Sequence, residues 1–91
     1  MEIEFDPAKN EKNIRERGLS FEAVSQFDFE TAVFFEDSRR DYGETRWRAL
    51  GLLQGRVHAL AFVWIGSRIR VISFRKANKR EVKRYEAASQ S

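Results

Sequence analysis

Ninety-one residues, 42% of them hydrophobic and 34% charged, with a net charge of +3, suffice for one small domain over residues 1–91. The lack of cysteine excludes disulfides and thiolate chemistry, and one histidine among scattered acids offers no metal-ligand spacing, so no metal or other cofactor is expected. The acidic start and the short apolar run 57–65 predict neither a signal peptide nor a membrane span, and the expected location is the cytoplasm.

Residues 1–5 alternate apolar and acidic side chains, as a short half-buried strand does. Asp6-Pro7 then opens a helix, with Asp6 as N-cap and Pro7 in its first position. It should run to Arg17, where Gly18 supplies a left-handed stop. Its apolar side is thin, chiefly Ala8 and Ile14, which places it on the surface. Ser20 caps a second short helix carrying Phe21, Val24 and Phe27 at helical spacing.

From Thr31 the apolar period changes to two. Residues 31–36, 46–53, 57–65 and 68–74 read as strands, and 37–45 as a polar loop. Gln54-Gly55 and Gly66-Ser67 are two-residue hairpin turns, so the last three strands should form an antiparallel meander. Asn78 with Glu81 makes a capping box that starts a final helix to Ala88, and 89–91 should fray. A strand, two helices, four antiparallel strands and a helix predict an α+β domain, its helices on one face of a curved sheet.

Charge is distributed unevenly along this order. Arg68, Arg70, Arg75, Lys76, Lys79, Arg80, Lys83 and Arg84 fall in one stretch opposed only by Glu81. That stretch carries +7, so the rest of the chain sums to 3 − 7 = −4. Such a stripe draws a polyanion by its field and by counterion release. Strict alternation puts Arg46 and Arg48 on one side of their strand. It also puts Arg75 with Ile69 and Val71, and Arg70 on the opposite side with Ile72 and Phe74, unless a bulge re-aims one of them.

Several short motifs then combine. Asp6-Pro7-x-Lys9 and Asn13 lie in the first helix, followed by Gly18 and Phe21. Gly43-Glu44-x-Arg46 precedes a strand containing Leu50-Gly51. Arg70-x-Ile72-Ser73-x-Arg75-Lys76-Ala77 is followed by Glu81 and Tyr85. In this order the chain resembles the BrnT family of toxins from bacterial toxin–antitoxin pairs. The resemblance implies a RelE-like fold, ribonuclease activity and a substrate groove formed by the sheet and the C-terminal segment. It also implies a DNA-binding antitoxin of the BrnA kind, contact with operator DNA only through that partner, and a heterotetramer with two toxin chains. One departure stands out: Arg17 occupies the position where the family often has a histidine.

RNA cleavage without a metal needs an in-line 2′-hydroxyl, proton transfer and cations on the phosphorane oxygens. Arg75 and Arg46 are the expected phosphate binders, since the guanidinium fork grips two oxygens. Glu81 and Tyr85, four apart on one helix face, and His58 and Lys9 complete the candidate catalytic set. Arg48, Arg70, Lys76, Lys79, Arg80, Lys83 and Arg84 are expected to bind the RNA backbone. Each has a plainer reading: Arg75 paired with Glu81, Glu81 capping with Asn78, Tyr85 and His58 packed in the core. Trp47, Phe62 and Trp64 are either stacking platforms or core. A basic module that binds RNA or protein without cutting it has the same composition.

Overall fold

The computed structural model describes residues 2–38 and 43–89. Its central feature is a five-stranded mixed sheet in the order β1-β5-β4-β3-β2. The strands are β1 (Ile3–Glu4), β2 (Val33–Asp37), β3 (Arg46–Leu53), β4 (Arg56–Ile65) and β5 (Arg68–Lys76). Neighbours from β2 to β5 pair antiparallel. The opening strand adds itself parallel to the last, Ile3 opposite Ile69 and Glu4 opposite Arg70, which makes the sheet mixed. Part of the expected polar loop, residues 39–42, lies outside the described residues.

Helix α1 (Pro7–Arg17) begins where the sequence places it. Asp6 accepts from Ala8 N–H at 2.9 Å, and Gly18 closes the helix at φ 65°. The helix lies on the surface, as its thin apolar side predicts, and its contact with the rest of the fold is polar. Ala8 is exposed and Ile14 is 43% exposed, while Asn13 is buried. Asn13 Nδ2 donates to Leu19 O at 2.9 Å and to Phe74 O at 2.8 Å, and Asn10 Oδ1 accepts from Phe21 N–H at 2.7 Å. Two asparagines thus satisfy backbone groups that a purely apolar contact would leave unpaired. The Ser20-capped segment is a 3₁₀ helix, Phe21–Gln26.

This 3₁₀ helix covers one face of the sheet. Phe21, Val24 and Phe27 pack there on Ala49, Leu53, Leu60, Phe62, Ile69, Val71 and Phe74. Burying each such aromatic or aliphatic side chain contributes about 1.5–3 kcal/mol. Gly51 on β3 is where the chain after that helix passes closest. A Cβ there would lie 2.6 Å from Phe27 Cζ and 3.1 Å from Asp28 O, so only glycine fits without a shift.

Helix α2 (Lys79–Ser89) packs on the opposite face, against the expectation that all helices share one side. Its Tyr85 meets Leu50 and Ala59, whose neighbours Ala49 and Leu60 belong to the other cluster. Strand alternation supplies the reason. Both faces of β3 and β4 carry apolar residues, so each face must be covered.

Candidate functional site

An irregularity in β5 builds the site. Ser73 pairs with Ala61, but Val71 pairs with Phe62, which leaves Ile72 without an opposite residue. One extra residue reverses the alternation downstream. Phe74 therefore joins Ile69 and Val71 in the core, and Arg75 faces the other way, beside Ala59. This corrects the strict-alternation placement of Arg75 with Ile69 and Val71. Arg70, opposite Val63, now shares the α2 face with Arg75. Arg48 joins them through its pairing with Ala61, and Arg46 lies one alternation further along β3, opposite Asp37.

Two of these arginines converge on one carboxylate. Arg75 Nη1 and Nη2 donate to Glu81 Oε1 and Oε2 at 2.8 and 3.0 Å, and Arg48 Nη2 donates to Oε2 at 2.6 Å. The Asn78 N–H donates to Oε1 at 2.9 Å, while Glu81 N–H donates to Asn78 Oδ1 at 2.8 Å, closing the predicted capping box. The Arg75 bond, helped by the Asn78 N–H and by Arg48, lowers the Glu81 carboxyl from 4.5 to about 2 against the opposing effect of burial.

Beside this cluster Phe35 of β2, paired with Arg48, lies under the Arg84 guanidinium, 3.8 Å from the ring centroid. Arg48 is 5.5 Å from the same ring. Phe35, Arg48, Arg75, Arg80 and Arg84 surround Glu81 in a cavity of about 280 Å³. Four guanidiniums against one carboxylate make it strongly electropositive.

The remaining candidates spread around this pocket. Lys79, Arg80 and Lys83 line a shallow surface with Asn78 at the start of α2. Arg68 and Arg70 both reach Glu4 on β1, the latter at 3.4 Å. Lys76 ends β5 opposite His58. Tyr85 is 8% exposed and packs on Leu50 and Ala59. His58 lies on the core face, 4% exposed, with Nδ1 donating to Arg56 O at 2.8 Å and its ring 5.5 Å from that of Phe74. Lys9 borders a separate cleft with Lys12, Glu16, Arg17, Ile72 and Ser73, which shares no residue with the arginine pocket. Trp47, Phe62 and Trp64 belong to the core face. Of the two aromatic residues on the arginine side, Tyr85 is read from the sequence, and Phe35, which stacks on Arg84, escapes it. Phe34 and Phe35 are adjacent, and only the pairing of Phe35 with Arg48 decides which of them meets the arginines.

Among the described residues no three His, Asp or Glu side chains are grouped to hold a metal ion, and no helix is long and apolar enough to cross a membrane. Fold and pocket together define a small cationic α+β domain with a cluster of guanidiniums beside an aromatic ring. The chain belongs to the BrnT family: the family model described as "Ribonuclease toxin, BrnT, of type II toxin-antitoxin system" matches residues 5–81. It is accordingly the toxin of a type II toxin–antitoxin pair, with ribonuclease activity and a cognate antitoxin as its partner. A comparison with curated proteins finds no match.

Proposed function

We propose that the chain is a metal-independent endoribonuclease of RelE-like layout that holds the scissile phosphate in the arginine pocket. The observation that carries this is the convergence of Arg48 and Arg75 on Glu81. A guanidinium carries five N–H donors, and Glu81 takes two from Arg75 and one from Arg48, so both arginines stay aimed with further donors for phosphate oxygens. In the reaction the RNA 2′-oxygen loses its proton and bonds to phosphorus. The bond from phosphorus to the 5′-oxygen breaks, and that oxygen takes a proton. The products are a 2′,3′-cyclic phosphate and a 5′-hydroxyl. Arg48 and Arg75 supply the positive charge that the phosphorane requires.

Glu81, lowered to about 2, is too weak a base to take the 2′-proton near neutrality. Its part is to aim the two guanidiniums. Tyr85 anchors α2 over Leu50 and Ala59. Arg46, Arg70, Lys79, Arg80 and Lys83 guide the RNA backbone toward the pocket. Lys9, Lys76 and His58 lie outside it and take no part in holding the phosphate.

The partner in this reading is a BrnA-like antitoxin that binds operator DNA itself and covers the pocket of two toxin chains in a cytoplasmic heterotetramer. Trp64 and Phe34 are 43% and 41% exposed on the core face. An antitoxin that anchors on them and covers the arginines therefore wraps a sheet edge. Incubating RNA with the purified protein in excess chelator tests the chemistry. Cleavage should persist and leave 2′,3′-cyclic or 3′-phosphate ends. Products with 3′-hydroxyl ends, or activity restored only by divalent ions, would overturn it.

A further inference from the structure

We propose that the pocket receives a whole nucleotide, with Phe35 as the stacking platform for one base and Arg84 as the side chain that the base displaces. The inference rests on the RNA-cleaving reading above and adds a base subsite to its phosphate site.

Phe35 is half-buried, packed against the Leu50, Ala59 and Tyr85 cluster, so its ring is fixed in place. At 3.8 Å from the ring centroid, the Arg84 guanidinium lies at stacking distance. A guanidinium is flat and delocalised, and it covers an aromatic ring as a base does. Arg84 itself is exposed on α2, at the end of a long flexible side chain that can swing aside. Once displaced it remains at the pocket wall as a further cation for the backbone.

The phosphate donors adjoin this platform. Arg48 is 5.5 Å from the Phe35 ring and 2.6 Å from Glu81 Oε2, so a single side chain bridges the stack and the cluster of phosphate donors. Base and phosphate of one nucleotide demand that adjacency. The aromatic residues of the other face do not provide it. Phe62 and Phe74 are fully buried there, and Trp64 and Phe34 have no part in the arginine pocket. Because every base has a π face, the subsite accepts all four, and it contributes affinity and register without strong sequence preference.

The plainer role for the Arg84–Phe35 contact is a clasp holding α2 to β2, and the test separates the two. A short RNA with 2′-O-methyl groups, which cannot be cleaved, and a fully abasic strand of the same length are titrated against the wild type, Phe35→Leu and Phe35→Met. Phe35→Leu should weaken binding of the base-bearing strand about tenfold and leave the abasic strand unchanged. Phe35→Met, unbranched, more adaptable in packing and likewise without a π face, should behave the same and serves if the leucine variant folds poorly. Equal losses on both strands, or no loss on either, would overturn the base subsite. Failure of the cleavage reading registers separately, as an Arg75→Ala protein that cuts RNA and binds the abasic strand as the wild type does.

Discussion

The two faces of the sheet are built on different physics. On one, Phe21 and Val24 of the 3₁₀ helix, with Phe27 just after it, close over a buried cluster that includes Leu60, Phe62, Ile69 and Phe74. On the other, α2 rests on a narrow strip of Leu50, Ala59 and Tyr85, flanked by arginines. The first face carries most of the apolar burial and therefore most of the stability. The second spends part of its area on charge and fastens its helix with a carboxylate shared between two strands. With the proposed site, stability and chemistry fall on opposite sides of one sheet, and a substitution should affect one far more than the other.

The largest effect expected of that division is on the core face. Phe74→Ala removes a fully buried ring and should lower stability by about 3–5 kcal/mol, read as a fall in the urea midpoint. With a typical domain stability of about 5–15 kcal/mol, activity then falls only through loss of folded protein. On the other face, Arg75→Ala should cut RNA cleavage about 10²- to 10³-fold while lowering stability less than Phe74→Ala does. If Arg75→Ala instead unfolds the protein, the division between the faces is wrong.

A smaller effect tests the edge where α1 docks. Asn13→Ala strips Leu19 O and Phe74 O of a donor and should cost about 1–3 kcal/mol without altering the chemistry of the arginine pocket. Denaturant titration beside a cleavage assay measures both quantities. The smallest is a pH effect. The Glu81 carboxyl is lowered from 4.5 to about 2, so its contribution to stability is full above about 4.5 and is lost as pH falls through about 2. Glu81→Gln should lack this component, and melting curves across the acid range should show a shallower slope than the wild type. Identical slopes would mean that the carboxylate does not hold α2.

Much of this arrangement was legible in the chain, because local physics governs it. Asp6, Gly18, Ser20 and the Asn78–Glu81 box mark helix ends through hydrogen bonds to residues two to four positions away, and all four occur as read. The hairpin turns at 54–55 and 66–67 are equally local. What escaped the sequence depends on partners far along the chain. Nothing within 68–76 announces the extra residue at Ile72, yet it decides where Arg75 points. The polar docking of α1 depends on carbonyls at Leu19 and Phe74. The covering of both sheet faces follows from apolar residues on alternate positions of β3 and β4, which a count of helices does not reveal. Of the site, the charges and the Arg75–Glu81 pair were readable, while Phe35 required the register of β2 against β3.

The parallel pairing of β1 with β5 also has a consequence in time. Glu4 meets Arg70 across 66 residues of sequence, and contacts of such separation make folding slow. A growing chain lengthens at about 5–20 residues per second, and its first strand waits for the last before the sheet is complete. The arginine pocket draws on Phe35 and Arg48, but it also needs Arg75, Glu81 and Arg84, which are synthesised after them. Without α2 the pocket lacks Arg80, Glu81 and Arg84, so Arg48 and Arg75 converge on their shared carboxylate only once that helix has settled on the sheet.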